Sequence, residues 1–225
     1  MNKKIEIVIP IFNDFESLEV LLTRIADVEN EYLRFIIVDN GSTDTRITKL
    51  LEKTPHNCKS VRTVQNLGFG GGILFGVNQT ESEWVGWMPG NLKVDPRELT
   101  NFIYGIEFNE NYLVKASRSG RKLVAHLKTL FAGIVQSLLL RENMLDTGGT
   151  PTICTKKFIL SLVNPPTSYV FESFILFIAR QRKMEVLRPK IHYGVRLFGK
   201  SHWQNGLRAE WNLMRLIMRE ARHWR

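Results

Sequence analysis

The feature that most constrains this sequence of 225 residues is the regular alternation of strand-like and helix-like segments in its first half. Runs rich in β-branched residues, typical of buried strands, alternate with segments whose leucines recur at helical spacing. Strands are predicted at 5–12, 33–38, 60–64 and 84–88, and helices at 15–25, at 45–51 and from the glycine-rich loop 66–72 through residue 77. This order predicts an α/β fold in which a mostly parallel sheet carries helices on both faces.

The second half of the chain is less regular. Its apolar spacing predicts one or two amphipathic helices within 122–140, a helix over 171–182, a strand over 184–193 and a basic helix over 207–225. No linker or internal repeat interrupts the sequence. We therefore expect one domain over 1–203, followed by an amphipathic C-terminal helix over 204–225.

The charge balance favours an anionic partner. Lys and Arg number 31 against 22 Asp and Glu, a formal net charge of +9, which suits phosphorylated ligands, anionic lipid surfaces or nucleic acid. We do not expect nucleic acid, because no module that interleaves aromatic and basic residues is present. No signal peptide is recognised, and the apolar stretch 123–140 contains a histidine, a lysine and a glutamine. The expectation is a cytoplasmic protein without a membrane span and with reduced cysteines.

Four polar residues follow predicted strands and are expected at one edge of the sheet, where such folds bind ligands. They are Asn13, Asp39, Asn66 and Asn91. Asp39 opens a turn-forming Asp-Asn-Gly-Ser sequence, and it can either cap the next helix or accept hydrogen bonds from a nucleobase. The glycine-rich loop suits close approach of a diphosphate or ribose, or tight packing of a helix on a strand. Arg118, Arg121 and Lys122 form a basic group that suits solvent or a phosphate.

Three motifs follow one another in the first half: Val-Ile-Pro-Ile-Phe-Asn at 8–13, Ile-Val-Asp-Asn-Gly-Ser-Thr-Asp at 37–44 and Asn-Leu-Gly-Phe-Gly at 66–70. In this order they resemble successive motifs of family 2 glycosyltransferases with the GT-A fold. Four motifs follow later: Ala-Ser-Arg at 116–118, Asp-Thr-Gly at 146–148, Phe-Glu at 171–172 and Arg-Leu-Phe-Gly-Lys-Ser-His-Trp at 196–203. They resemble the branch that contains dolichyl- and polyprenyl-phosphate sugar synthases.

The resemblance implies roles for the residues at matching positions. The implied donor-binding residues, for the base, ribose and diphosphate of a nucleotide-sugar, are Pro10, Phe12, Asp39, Asn66, Gly68 and Asn91. The implied acceptor side comprises Arg118, Asp146, Arg196 and Ser201. The implied reaction is an inverting displacement at the anomeric carbon, with a nucleoside diphosphate as leaving group. The candidate catalytic groups, all cationic, are Lys93, Arg118, Arg196 and Lys200.

Two positions depart from the family pattern. The family places an Asp-x-Asp metal motif after the fourth strand, where this chain has Pro-Gly-Asn at 89–91. A neutral amide is a poor ligand for hard divalent cations, so we expect at most weak binding of Mg²⁺ or Mn²⁺ at Asn91. Either Lys93 and Arg118 replace the metal in stabilising the leaving diphosphate, or activity is lost. The second departure, Phe174 in place of a common glutamate, concerns the acceptor side.

The tail predicts a surface element. Apolar residues of 207–225 follow helical spacing on one face and arginines occupy another, which suits a helix lying on an anionic membrane or one docked on the domain. The sequence therefore predicts transfer of a sugar from a nucleotide-sugar to a polyprenyl-phosphate-type lipid at the cytoplasmic membrane face. Two alternatives stay open. One is transfer to a glycan hydroxyl with Asp146 as base, and the other is a homologue that binds a nucleotide-sugar or a partner without turnover.

Overall fold

The computed structural model describes residues 3–199 and 206–224, and within the last helix it describes the side chains of residue 212 and of residues from 214 onward. The described strands are β1 Ile5–Ile11, β2 Leu33–Asp39, β3 Cys58–Arg62, β4 Trp84–Trp87, β5 Tyr112–Lys115, β6 Ser117–Ser119, β7 Thr152–Thr155, β8 Glu185–Leu187 and β9 Lys190–His192. The described helices are α1 Phe15–Ala26, α2 Thr45–Leu51, α3 Gly68–Asn78, α4 Leu99–Ile103, α5 Leu123–Leu140, α6 Lys156–Leu160, α7 Phe171–Gln181 and α8 Gly206–Glu220.

Seven strands form one sheet in the order β3-β2-β1-β4-β7-β5-β8, and β6 pairs with β9 in a second, two-stranded sheet. Among the described pairs, those made by β7 are antiparallel and the others are parallel. The carboxyl ends of the parallel strands therefore meet at one side of the main sheet. We call this side the C-terminal edge and define it by the last residues of β1, β2, β3 and β4, namely Ile11, Asp39, Arg62 and Trp87.

The main sheet buries an apolar core on each face. Ile7 and Ile9 of β1 belong to one core and Val8 to the other, because successive side chains of a strand point to opposite faces. Residues of α1, α2 and α4 close the first core, and residues of α3, α6, α7 and α8 close the second. The predicted mostly parallel sheet with helices on both faces is confirmed.

The C-terminal helix α8 and the residues that follow it pack on the domain. Ile217 of α8 is fully buried, and the ring of Trp224, after the helix, lies 5.4 Å from that of Phe174 and 5.7 Å from that of Phe177, between centroids. Phe174, one of the two departures from the family pattern, is thus a core residue at this contact. Arg215 and Arg219 of the helix and Arg222 after it are exposed.

The predicted strand over 184–193 is wrong in extent. β8 pairs with β5 in the main sheet, whereas β9 pairs with β6 in the second sheet, so the chain changes sheets between Leu187 and Lys190. Pro189 lies at this change, has no N–H for a ladder, and accepts a 2.8 Å hydrogen bond from the Ser117 N–H. The sequence pattern also does not predict β5, β6 or β7. They are no longer than β4, but unlike β4 they are not followed by a Pro-Gly pair that marks the end of the strand.

Candidate active site

Asp39 ends β2 at the C-terminal edge and is 1% exposed. Its Oδ1 accepts a 2.9 Å hydrogen bond from the backbone N–H of Ser42. Its Oδ2 is buried without a hydrogen-bond partner among the described residues, although Nη1 of Arg62 lies 3.1 Å away as an ion-pair partner. A buried carboxylate oxygen that retains accepting capacity suits a ring N–H of a nucleobase.

The helix that follows this turn is capped by a residue other than Asp39. Asp44 caps α2, because its side chain accepts a 2.9 Å hydrogen bond from the backbone N–H of Arg46. Asn13, whose φ is 48°, accepts a 2.9 Å hydrogen bond from the Thr43 N–H and so ties the loop after β1 to the loop after β2. Since the helix already has its cap, Asp39 is available to a ligand at the edge.

Asn40 is a site residue that the sequence reasoning missed. It is 3% exposed, and its side chain reaches the loop before α3. Nδ2 donates to Asn66 Oδ1 at 3.2 Å and to the Gly68 carbonyl at 3.0 Å, while Oδ1 accepts from the Leu67 N–H at 3.1 Å. Asn40 thus fixes this loop beside the turn that contains Asp39. Its place in a turn-forming sequence hides the role, because asparagine is common in turns for local reasons.

The glycines around α3 allow close packing. A Cβ on Gly68, whose φ is +77°, would lie 2.5 Å from the carbonyl oxygen of Thr167, and a Cβ on Gly76 would overlap the side chain of Val8. Residues 166–168 therefore lie directly against the start of α3. This geometry favours the packing alternative for the glycines, and the donor role of Asn66 and Gly68 stays a prediction.

Pro10 and Phe12 stand at the end of β1. Pro10 is half-buried beside α3, where a Cβ on Gly72 would lie 3.0 Å from the Pro10 Cβ. The Phe12 side chain is 42% exposed immediately after the strand. An exposed aromatic ring at this edge can stack on a base, since every base has a π-face. Both residues stay candidates for donor binding.

The position of the family's metal motif offers few oxygen ligands. Asn91 Oδ1 accepts a 3.2 Å hydrogen bond from the Lys93 N–H. Asp95 follows in the chain, but its Oδ2 lies 3.1 Å from Arg24 and 2.7 Å from Arg97 in two ion pairs. Residues 3–199 and 206–224 contain no group of three or more His, Cys, Asp or Glu side chains that could hold a metal. The residues present do not suit a hard divalent cation, which prefers several carboxylate oxygens.

A group of cations, which we call the basic cluster, lies beside this position. Its members, close enough to influence one another electrostatically, are Lys93, Arg118, Arg121 and Arg196. Burial lowers the pKa of Lys93, and the neighbouring arginines lower it further because like charges disfavour the ammonium. The Lys93 Nζ and the Arg118 Cζ lie 5.9 Å and 5.5 Å from the ring centroid of Tyr193. The structure brings together three of the four predicted catalytic residues, while Lys200 and the acceptor-side Ser201 lie outside the described residues.

Two carboxylates neutralise part of the basic cluster. Asp146 Oδ1 accepts hydrogen bonds from Arg118 Nε, at 3.0 Å, and from Arg118 Nη2. Asp14 Oδ2 accepts a 2.8 Å hydrogen bond from Arg196 Nη2. Asp146, the base required by the glycan-hydroxyl alternative, is thus the partner of Arg118 in this structure. Lys93 Nζ forms no ion pair within the part of the chain that is described.

A buried ion pair at the end of β5 is a second feature that the sequence reasoning missed. The fully buried Lys115 donates to Glu172 Oε2 and, at 3.1 Å, to Thr152 Oγ1, while Trp87 Nε1 donates to Glu172 Oε1 at 2.8 Å. Burial lowers the pKa of Lys115, and the Glu172 carboxylate opposes that shift. The network joins β4, β5, β7 and α7, and β5 leads within three residues to Arg118. It therefore fixes the end of β5, which leads directly into β6, the strand that carries Arg118 of the basic cluster.

Comparison with known proteins agrees with this fold. A family model described as glycosyl transferase family 2 matches residues 6–162. The chain belongs to glycosyl transferase family 2. Among solved structures it is similar to the glucosyl-3-phosphoglycerate synthase of Mycobacterium tuberculosis in complex with Mn²⁺, uridine diphosphate and glucosyl-3-phosphoglycerate. The TM-score is 0.73 at 16% identity, over 97% of this chain and 80% of that one, which confirms the GT-A fold.

Curated relatives within the family bear the names of lipid-phosphate sugar transferases. The dodecaprenyl-phosphate galacturonate synthase of Rhizobium johnstonii is 26% identical over 53% of this chain and 37% of its own length. The undecaprenyl-phosphate 4-deoxy-4-formamido-L-arabinose transferase of Yersinia pestis is 25% identical over 96% of this chain and 64% of its own length. The chain thus spans less than two thirds of either relative. The predicted resemblance to the polyprenyl-phosphate branch is confirmed.

Proposed function

We propose that this family 2 chain moves a sugar from a nucleotide-sugar to a polyprenyl-phosphate-type lipid at the cytoplasmic face of a membrane. The observation that carries the proposal is the succession of three surfaces: the C-terminal edge with Asp39, the basic cluster, and the exposed apolar side of α5. α5 begins two residues after Arg121 of the basic cluster. A nucleotide, a phosphate and a lipid chain fit these surfaces in that order. The names of the curated relatives support the same class of acceptor.

Helix α5 turns its large apolar side chains away from the domain, whereas a helix on a globular domain usually buries them. Of its 18 residues, all described, the buried ones are Gly133, Gln136 and Leu140, and Gln136 Oε1 accepts a 2.9 Å hydrogen bond from Ser173 Oγ. Large apolar side chains on the helix are 41–76% exposed: Leu123, Val124, Leu127, Leu130, Phe131, Ile134, Leu138 and Leu139. A contiguous exposed apolar surface of this kind is typical of a membrane, ligand or protein contact.

A membrane surface is the occupant that fits this helix best. Within the described residues, α5 is long and apolar enough to cross a membrane by length and composition, with a mean hydropathy of 1.6. Its buried residues, however, hold it along the domain. Exposed cations stand at both ends, Lys122 before the helix and Arg141 after it, where they would meet anionic head groups. We therefore propose that α5 lies in the membrane surface and guides the lipid chain, with its phosphate at the basic cluster.

The proposed reaction needs no strong base. An acceptor phosphate is already ionised at neutral pH, so one of its oxygens can attack the anomeric carbon directly. The bond from that carbon to the donor diphosphate breaks, and its electron pair stays on the diphosphate oxygen. Negative charge thus moves from acceptor to leaving group, and the task of the protein is to position two anions and stabilise that charge. The pairing of Asp146 with Arg118 agrees with this role better than with proton abstraction.

Transfer of radiolabelled sugar into a solvent-extractable lipid fraction tests the proposal. Nucleotide-sugars of uridine, guanosine and cytidine are incubated with polyprenyl phosphate in vesicles, and with polyprenol as a control that lacks the phosphate. We expect label in the lipid fraction with polyprenyl phosphate alone. Arg118→Ala should abolish transfer, whereas Arg34→Ala, a matched change at the start of β2 on the opposite side of the sheet, should not. In a parallel incubation with a glycan acceptor, label in the glycan fraction would favour the hydroxyl alternative. Calorimetric binding of a nucleotide-sugar without label in either fraction would favour the homologue without turnover.

A further inference from the structure

We propose that Lys93 takes the place of the divalent cation in this chain and binds the donor diphosphate without a metal. This inference rests on the proposed function, because it concerns the leaving group of that transfer. In the family pattern, a metal ion held by the Asp-x-Asp motif supplies positive charge at the diphosphate, and in this chain Lys93 supplies it. The first observation behind this inference is that residues 89–91 are Pro-Gly-Asn in place of the motif.

The side chains near the motif position offer few oxygen ligands. Asn91 supplies a neutral amide oxygen that accepts the N–H of Lys93, and the carboxylate of Asp95 is held by Arg24 and Arg97. An ion bound here would compete with two arginines for Asp95 and would gain only that one carboxylate. Such a donor set is a poor match for Mg²⁺ or Mn²⁺, whose ligands are several oxygens, mostly from carboxylates.

The backbone of Lys93 is fixed, whereas its ammonium group is free to bind an anion. The Lys93 carbonyl accepts a 2.8 Å hydrogen bond from the Gly194 N–H, and the Lys93 N–H is bonded to Asn91. Nζ lies 5.9 Å from the centroid of the Tyr193 ring and has no carboxylate partner among the described residues. Its three N–H donors are therefore available, and a lysine side chain can turn toward a phosphate as a compact point charge.

The loop that carries Lys93 adjoins the edge where the nucleotide is expected. A Cβ on Gly90 would overlap the side chain of Ile11, the last residue of β1, so this loop packs directly on the C-terminal edge. Arg196 extends the contact, because it binds Asp14 just after the β1 loop at 2.8 Å. A diphosphate attached to a base at Asp39 would therefore lie next to Lys93.

The basic cluster carries more positive than negative charge. Its four cations are accompanied by two bonded carboxylates, Asp14 and Asp146, so the described residues leave positive charge available to an anion. The guanidinium groups of Arg118 and Arg196 already bond those carboxylates, and Arg121 donates a 2.9 Å hydrogen bond to the Ala125 carbonyl. Lys93 is thus the member best placed to bind the leaving diphosphate, in a half-buried position where opposite charges attract more strongly than in water.

Isothermal titration calorimetry on the full chain tests the inference. UDP, GDP, CDP and ADP are titrated with Mn²⁺ and with EDTA, and inorganic pyrophosphate serves as a probe that does not depend on the base. We expect chelation to change the Kd of the tightest nucleotide by less than about threefold, and Lys93→Ala to weaken it by at least about tenfold, as for the loss of a hydrogen bond to a charged group. Lys93→Arg should keep the affinity within about threefold, since the charge is retained.

Lys53→Ala removes an exposed lysine just after α2 and serves as the matched control, with no change in affinity expected. If Lys93→Ala does not fold, Lys93→Gln decides, because it keeps the length of the side chain. A loss of more than about tenfold on chelation, with no effect of the Lys93 changes, overturns the inference and leaves the proposed function intact. Failure of all four nucleotides and of pyrophosphate to bind in either condition overturns both.

Discussion

One carboxylate oxygen of Asp39 holds the backbone of its own turn, and the other is buried without a hydrogen bond among the described residues. The residue therefore holds its turn through one oxygen, while the other has an ion-pair partner in Arg62 but no hydrogen bond. The neighbouring Asn40 has a different task, since its amide holds the loop before α3. We therefore expect that substitutions at these adjacent residues separate the proposed ligand contact from the positioning of the loop.

Asp39→Ala is expected to weaken nucleoside diphosphate binding by about 1–3 kcal/mol, because it leaves a donor of the base without its partner. Calorimetric titration with UDP, GDP, CDP and ADP measures the change. Asp44→Ala is the control, since it removes the cap of α2 and should cost stability, about 1 kcal/mol, without affecting affinity. Equal affinity of wild type and Asp39→Ala for every nucleotide would contradict the assignment.

Glu172→Gln is expected to lower the free energy of unfolding by about 3–5 kcal/mol, because it leaves the charge of Lys115 buried and unpaired. Urea denaturation followed by tryptophan fluorescence measures the loss. The double change Lys115→Met with Glu172→Leu removes both charges and should recover most of the stability. If Glu172→Gln unfolds at the same urea concentration as wild type, the pair contributes nothing and the network does not fix β5.

The sequence could reveal single residues only where a local signal accompanied them. Asp39 and Lys93 are visible because each follows a strand pattern or departs from a motif. Asn40 looks like an ordinary turn residue, and Lys115 lies in a short strand with no period of its own. Its partner Glu172 is remote in sequence, and a buried ion pair is set by tertiary contacts that no local pattern records.

At the scale of elements, the sequence offered two roles for the C-terminal helix, docking on the domain or contact with a surface. In the structure α8 docks on the domain, and the exposed apolar surface belongs to α5. α8 uses its described apolar residues, including Ile217, on the domain. α5 leaves its own apolar residues exposed and starts beside the basic cluster. A surface element was therefore predictable from composition, but which helix is exposed depends on packing. Both helices are amphipathic in sequence, and the pattern does not say which face meets the sheet.

Phe131→Glu combined with Leu138→Glu is expected to reduce binding to anionic vesicles by at least about tenfold, since each change removes roughly 1.5–3 kcal/mol of apolar burial in the bilayer surface. Co-sedimentation with vesicles that contain phosphatidylglycerol measures it, and added salt should weaken the wild type. Leu160→Glu, at an apolar residue of α6 that is 57% exposed, is the matched control. Equal binding of the α5 variant and wild type would place the membrane contact elsewhere.

Across the whole molecule, the strands and helices of the first half were largely predictable, whereas in the second half the helices α5, α7 and α8 were predictable and the strands were not. β1, β2 and β4 are largely buried and follow one another along the chain with helices between them, so local patterns carry most of the information. β7 instead enters between β4 and β5 from a distant part of the sequence and runs against both. Pairing of that kind is decided by tertiary contacts, and so is the change of sheets at Pro189.

The two cysteines lie on different strands of the main sheet, Cys58 on β3 and Cys154 on β7. Ionisation of their thiols therefore affects the stability of the folded protein. Burial raises the pKa of Cys58 to about 12 from 9.0 and raises that of Cys154 as well. Below about pH 9 both thiols are neutral in either state, and the folded protein keeps its full stability. As the pH rises from about 9 toward 12, the unfolded thiols ionise first and the free energy of unfolding should fall.

Urea denaturation at about pH 8, 9 and 10 checks this expectation, with a slope of up to about 1.4 kcal/mol per pH unit for each thiol. Cys58→Ala should make the decline shallower than in wild type, which separates the thiol from lysines and tyrosines that titrate in the same range. Identical slopes for the two proteins would show that the Cys58 thiol ionises as readily in the folded protein as in the unfolded one.

The members of the basic cluster and their carboxylate partners lie far apart in the sequence, so they are synthesised at different times. Asp14 is synthesised before Lys93 and Arg118, and Arg196 follows well after them. β1 to β4, which pair with one another, are likewise synthesised before the residues of β9. Under the proposed function, the residues of the nucleotide edge therefore emerge before the full set of cations, and the two anionic substrates cannot be brought together until Arg196 has been synthesised.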